Sequence, residues 1–389
     1  MSEEPIVDNI IEINGTVAPG FDTVREVFAA VVAEENGESG AQLAAFVHGR
    51  QVVDLWAGPQ VTGDTLTGLL SATKGASSLV VALLVQEGWL DLDCAVADYW
   101  PEFGAAGKSG ITLRQVLTNR AGVIGVEGGL TIAELADDRR IAERVAPQWP
   151  YIRPDSAQAY GGFVSFAIVG EVVRRAAGGS IQELFEERVR APYGLDVYLG
   201  LPVSDDRYLP ILPWLATLEM QAAFEANSPE SHSIPGIAYN LNAADFTPAD
   251  VLTLPNNPEV RALGQGSAGG VGSARGLAAM YAAAISGLDG RAQLLKSDTL
   301  AMVTAVHSAG PDLVRGERAP YALGFEAKGL YYPFLGANAF GHTGAVGCDG
   351  FADPRSGLAY GYTRRRAAFG FSAPENDRLA AAVHRAASR

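Results

Sequence analysis

Apolar residues at Val24, Val27, Phe28, Val31 and Val32 fall at i, i+3, i+4, i+7 and i+8, the spacing of one helix face. This predicts a helix over 24–36, stopped by Gly37 and Gly40. The period then changes. Leu43 to Val47 and Val52 to Trp56 are β-rich runs around His48-Gly49-Arg50, which predicts an antiparallel hairpin. From about residue 71 to 200 the pattern is mainly helical, with a long apolar helix from Leu79 ended by Gly88. Ser180-Ile181-Gln182-Glu183 is a capping box, and it opens a helix with Ile181, Leu184, Phe185 and Val189 on one face, closed by Pro192 and Gly194. Residues 201–270 place prolines and asparagines between short apolar clusters containing Trp214, Phe224, Tyr239 and Phe246. They predict long connections and short helices that wall a pocket. Strand character returns near Tyr321. Phe351-Ala352-Asp353 and Leu358 to Tyr362 flank the turn Pro354-Arg355-Ser356-Gly357 as a second hairpin. From Ser372 a final helix is predicted, with Pro374 in its first turn, Glu375 and Asp377 early and Arg385 late, which suits the helix dipole.

Helix and hairpin at the front, hairpin and helix at the back, and helices between predict one antiparallel sheet completed by both chain ends. The class is α/β in the α+β sense, since the order is not the alternating βαβ of a doubly wound sheet. The expected division is a single unit, 1–389. One lobe, 1–68 with 270–389, carries the sheet, and a second, 69–269, is mainly helical.

Charge and cysteine usage narrow the function. The 389 residues carry a formal charge of -15, which argues against nucleic acid, whose phosphates need a basic surface, and disfavours anionic membranes. Met-Ser-Glu-Glu-Pro carries acid where a secretory signal would carry base, and no apolar h-region follows. The longest apolar run, Leu79 to Val85, is too short to span a bilayer. Two cysteines, Cys94 and Cys348, without a C-x-x-C pair fit a reducing cytosol, so a cytoplasmic protein is expected. Five scattered histidines give no metal-ligand spacing, and no metal or other cofactor is expected. The implied partner is a small molecule; the oligomeric state is not legible.

Candidate chemistry begins at Ser71-Ala72-Thr73-Lys74, where a strand-and-turn segment gives way to the long apolar helix. Serine and lysine three apart in a first helical turn share a face. A serine hydroxyl needs an adjacent base to become a nucleophile, and lysine serves only if burial or the positive helix end destabilises its ammonium. The same spacing also fits an N-cap serine followed by a solvated lysine. Gly341-His342-Thr343-Gly344-Ala345 is a Gly-rich strand segment in which a small residue admits a substrate to the strand edge and a backbone N–H can face an oxyanion. Taken alone it fits better a tight strand with glycines at bulges and a satisfied histidine.

Taken in order, Ser-x-x-Lys, a later tyrosine, and His-Thr-Gly before the C-terminal helix resemble the serine β-lactamase and penicillin-binding-protein superfamily. The match is closest to the class C-like branch that includes the family VIII carboxylesterases. The likeness spans nearly the whole chain and includes Gly350-Phe351-Ala352-Asp353-Pro354. It implies a β-lactamase-like fold with Ser71 as the acylated nucleophile and Lys74 as its base. Tyr160, within Gln158-Ala159-Tyr160-Gly161-Gly162, would relay protons to the leaving group. His342, Thr343 and Gly344 would bind substrate, and the backbone N–H groups of Ser71 and Ala345 would form the oxyanion hole.

Two departures shape the expected substrate. Gly162 stands where many lactam-recognising members have asparagine, leaving an amide substrate without a buried partner, a loss of roughly 1–3 kcal/mol. His342 replaces lysine; with an ordinary pKa of about 6.5 it would be neutral at about pH 8 and gain charge toward pH 6. The expectation is a carboxylesterase for small, neutral, short-chain acyl esters, with its discrimination against carboxylated esters narrowing as pH falls. β-Lactamase, D-amino-acid amidase or peptidase, and acyltransferase activities are the alternatives on the same fold. A non-catalytic ligand-binding protein is a further one. An α/β-hydrolase is disfavoured, because the nearest string to its nucleophile elbow, Gln265-Gly266-Ser267-Ala268-Gly269, has Gln in the first position.

Overall fold

The structure is a computed structural model that describes residues 11–35, 39–371 and 373–389. β1 (Asn14–Val17) leads into α1 (Asp22–Glu34), and β2 (Ala41–Val47) with β3 (Arg50–Ala57) makes the first hairpin. β4 (Thr67–Gly68) precedes α2 (Thr73–Gln86), and α3 (Ser165–Ala177) lies in the helical middle. β5 (Val197–Tyr198) and β6 (Val271–Gly272) precede α4 (Ala274–Ile285). β7 (Glu326–Ala327), β8 (Phe340–Thr343), β9 (Asp349–Asp353) and β10 (Leu358–Arg364) follow, and α5 (Glu375–Ala387) ends the chain.

Among the described residues seven strands form one antiparallel sheet in the order β1-β3-β2-β10-β9-β8-β7. The N-terminal hairpin and the C-terminal strands meet where β2 pairs with β10, Ala45 opposite Tyr360, so both ends of the chain complete the sheet as expected. Both faces are covered. Leu43, Ala45, Phe351, Tyr360 and Tyr362 point toward α1 and α5, while Ala44, Ala352 and Ala359 point toward alanine-rich α4. Small residues on that second face let the helix lie close to the strands.

α2 runs through the interior with every residue from Thr73 to Leu84 buried, so any polar group on it must find its partners within the protein. β4, β6 and β5 form a small sheet that the sequence pattern did not announce, since two-residue strands carry no periodicity. β4 sets the entry to α2.

Several boundaries moved. The first helix covers Asp22–Glu34 rather than 24–36, and Asn36 and Gly37 lie outside the described residues. Ser180 caps its helix as read, but the coil continues through a π-turn at Glu186–Arg190 into Ala191–Tyr193. Pro192 therefore sits inside the last turn, and Gly194, at φ 63°, stops the helix. Tyr321 is not in a strand: it makes isolated bridges to Ser308 and Glu326, and β7 begins at Glu326. The last helix starts at Glu375, with Pro374 at its N-cap; Ser372 lies outside the described residues.

Candidate active site

Ser71 belongs to a single 3-10 turn, Leu70–Ala72, that precedes α2 rather than to the helix itself. The turn is pinned on both sides. Leu69 N–H donates to Gly270 O at 2.9 Å, and Cys348 Sγ donates to Leu69 O at 3.1 Å. Leu70 is held at φ 44°, a left-handed conformation costing a leucine about 1–2 kcal/mol, and the packing around it sustains that strain.

The structure brings Ser71, Lys74 and Tyr160 together. Lys74, 3 % exposed, directs Nζ at Gly162 O (2.7 Å), Ser267 O (3.0 Å) and Ser71 Oγ (3.5 Å). Burial pushes its pKa down to about 7, with Glu326 and Asp138 partly opposing. A neutral amine has two N–H donors and one lone pair. The two carbonyls take the donors, and the remaining direction faces Ser71 Oγ.

Tyr160 Oη donates to Ser71 Oγ at 2.9 Å. Burial raises its pKa far above the ordinary phenol value, so the ring stays protonated. Its position is fixed through the backbone: Tyr160 N–H donates to Asp312 Oδ1 (3.2 Å), and Ala159 N–H to Asn119 O (2.8 Å). The Tyr321 ring lies parallel to it, 6.1 Å between centroids.

Gly162 marks a built departure. A Cβ there would sit 2.5 Å from Ala238 O, so the space of an asparagine side chain is filled by the 234–238 helix.

The third motif lies on β8. Gly344 is required by close approach, because a Cβ would overlap Leu69 O and Cys348 Sγ. This contact seats the end of β8 against the Ser71 turn. Among the described residues neither the Ser71 nor the Ala345 N–H has a backbone acceptor, and both residues line the same cleft. Thr343 does not point freely at a substrate; its N–H and hydroxyl both donate to Glu326, at 3.0 and 2.9 Å.

His342 overturns the pH expectation. It is 3 % exposed, Nδ1–H donates to Thr343 O at 2.8 Å, and burial pushes its pKa down to about 4 although Glu326 opposes this. A histidine titrating there stays neutral at pH 6 as well as at pH 8, so lowering the pH toward 6 does not charge it.

Two groups around the site escaped the sequence reading. Glu326 and Lys328 are each 1 % exposed and Asp349 is fully buried. Lys328 Nζ lies 2.9 Å from Glu326 Oε2 and 2.7 Å from Asp349 Oδ1, and Arg315 Nη1 lies 3.0 Å from Glu326 Oε1. Burial resists charge on Glu326, yet Lys328 and Arg315 hold its carboxyl well below the usual range.

The second group is Asp138, whose carboxylate accepts from Gly266 N–H, Gln182 Nε2 and Gln265 Nε2, each at 2.9 Å. It anchors the segment whose Ser267 carbonyl holds Lys74. Burial raises its pKa to about 6. Ser267, the serine of the elbow-like string, is fully buried and donates to Phe163 O, so it is framework.

Ser71, Tyr160 and His342 open onto a cleft of about 840 Å³ whose wall includes Phe224, Tyr239, Leu241 and Val251. Among the described residues no group of three or more His, Cys, Asp or Glu side chains is arranged to hold a metal ion. Among the same residues no helix is long and apolar enough to cross a membrane.

Comparison with known proteins places the chain. The Beta-lactamase family profile matches residues 24–385. The chain is 28 % identical over 365 residues to Esterase/beta-lactamase LipL of Mycobacterium tuberculosis, covering 90 % of this chain and 82 % of the relative. It is similar to the solved structure of EstA from Arthrobacter nitroguajacolicus Rue61a, with 39 % identity, a TM-score of 0.87 and coverage of 96 % and 98 % of the two chains. It is also similar to a family VIII carboxylesterase, with 34 % identity, a TM-score of 0.82 and coverage of 97 % and 100 %. The chain therefore belongs to the beta-lactamase family, as a hydrolase of the esterase/beta-lactamase fold close to the family VIII esterases.

Proposed function

We propose that the protein is a serine carboxylesterase that cleaves small neutral esters through a Ser71 acyl-enzyme. One observation carries the reading: Ser71 Oγ lies between an amine with a pKa near 7 and a phenol that stays protonated. Neutral Lys74 takes the Ser71 proton as Oγ attacks the ester carbonyl. The Ser71 and Ala345 N–H groups hold the oxyanion. Tyr160 gives its proton to the departing alkoxide, and the proton that Lys74 took from Ser71 returns to the phenolate, so both groups end the step as they began it. A water then enters, the same groups act in reverse, and the acid is released.

The filled space at Gly162 and the neutral His342 support esters over amides and over carboxylated lactams. The unpaired thiols of Cys94 and Cys348 support a reducing, cytoplasmic setting.

The test is a panel on purified protein: short-chain p-nitrophenyl esters, nitrocefin and a D-amino-acid amide. Ester turnover exceeding the other two by at least about a hundredfold in kcat/KM is expected, and nitrocefin or amide turnover equal to it would overturn the assignment.

A further inference from the structure

Aromatic rings from three separate stretches of chain gather on the wall of the cleft, beside Leu241 and Val251. Phe224, Tyr239 and Phe371 line the cavity that holds Ser71. Trp214 and Phe369 pack behind them, Trp214 edge-on to Phe224 at 4.7 Å and to Phe369 at 5.3 Å between centroids. Phe371 closes the set, 6.0 Å from Phe224 and nearly parallel to Tyr239 at 6.4 Å.

Phe371 is 40 % exposed and held at φ 63°, a conformation that a phenylalanine adopts only under constraint. The constraint is visible. Ala368 N–H donates to Val346 O at 2.9 Å, tying the 368–371 turn to the Ala345–Gly347 turn beside Ser71. A large ring is thus kept turned into the cleft instead of folding into a core. The helix Leu218–Ala226, which carries Phe224, buries none of its residues, so its main apolar contact is with this wall.

We infer that this wall is a binding subsite for a planar aromatic group of the ester. The inference rests on the carboxylesterase reading and extends it from neutral esters to aryl-bearing ones. Ring faces and edges presented together favour a flat π-system, which stacks or meets them edge-on, over an alkyl chain of similar area. The ring can arrive on the alcohol or on the acyl side of the bond.

The experiment compares kcat/KM for 2-naphthylmethyl acetate (alcohol arm) and ethyl 2-naphthylacetate (acyl arm), each divided by that for ethyl acetate. Wild-type enzyme is measured beside Phe371→Ala and Phe224→Ala. The quotient cancels any general loss of activity. A fall of roughly two- to tenfold in one arm for each variant is expected, and the arm that falls assigns the side. Quotients unchanged in both arms overturn the subsite. A second measurement needs no variant in the wall: 2-naphthylmethanol and 1-hexanol compete for binding to the Ser71→Ala protein. Naphthylmethanol should bind at least about threefold more tightly, and equal affinity refutes the wall as an aromatic site. Because this arm involves no turnover, it stands or falls separately from the esterase assignment, which absent hydrolysis of every ester would refute.

Discussion

Lys74 and Lys328 lie equally deep in the molecule, 3 % and 1 % exposed, yet their surroundings push them in opposite directions. Lys74 meets only carbonyls and hydroxyls; burial dominates and its pKa drops to about 7. Lys328 meets the carboxylates of Asp349 and Glu326; burial again works against charge, but the two anions outweigh it and raise the pKa. Depth alone does not set a lysine's charge. The same fold lowers the pKa of one lysine and raises that of the other by withholding or supplying carboxylates within hydrogen-bond reach.

The largest effect should come from removing the proposed base or the proposed nucleophile. Ser71→Ala and Lys74→Met are each expected to lower kcat for p-nitrophenyl acetate by at least about a thousandfold, since the two act as a unit. Either variant keeping more than about a tenth of wild-type kcat would end the comparison, because Lys74 would then be just another buried lysine.

Stability should separate the two lysines next, with opposite signs. Lys328→Met leaves Glu326 and Asp349 buried without their shared cation, a loss of about 3–5 kcal/mol in urea unfolding. Lys74→Met should instead raise the unfolding midpoint at pH 8. Between the unfolded pKa of 10.5 and the folded value near 7, the unfolded lysine holds a proton that the folded one lacks, which penalises the folded state; methionine removes that penalty. A loss of similar size in both variants would contradict the account.

Tyr160→Phe sharpens the division of labour. A protonated phenol acts as a donor, so kcat should fall about ten- to a hundredfold with KM nearly unchanged, as steady-state kinetics will read. A smaller change is expected from Asp138→Asn. Removing that negative charge makes the Lys74 ammonium less stable, so the acid limb of kcat/KM should move to lower pH. An unmoved limb with lower activity would make Asp138 purely a loop anchor. The smallest expected effect is none at all. With His342 titrating near pH 4, the preference for a neutral ester over its carboxylated match should be constant between pH 8 and pH 6.

What the sequence could convey follows from range. The two hairpins and α1 were legible because hydrophobic period and turn residues are local, and each is decided within a dozen positions. Ser71 and Lys74 were legible for the same reason, being three apart. Tyr160 came into view only through the likeness to a family, since 89 residues separate it from the hydroxyl it meets; the His342–Ala345 run was noticed as a Gly-rich strand, but its pairing with Ser71 came from the likeness. The Glu326–Lys328–Asp349 cluster was not legible. Its charges look like ordinary surface residues until β7, β8 and β9 align them, and the 21-residue separation of Lys328 and Asp349 matches no local pattern. His342 was misjudged because an ordinary pKa assumes solvent, and the motif does not reveal that the ring packs near Tyr160 with almost no exposed surface. Gly162 was noticed as a missing asparagine; that Ala238 O occupies the place is a tertiary fact.

The central claim is that a neutral Lys74 activates Ser71, and the rate of covalent labelling by a fluorophosphonate tests it most directly. The rate should be followed by intact-protein mass across pH 5 to 10, with the adduct located by peptide mapping. The account predicts labelling on Ser71 whose rate rises about tenfold per pH unit below 7, levels off above it, and disappears in Lys74→Met. Labelling that continues to climb toward pH 10, or that survives the loss of Lys74, would contradict it.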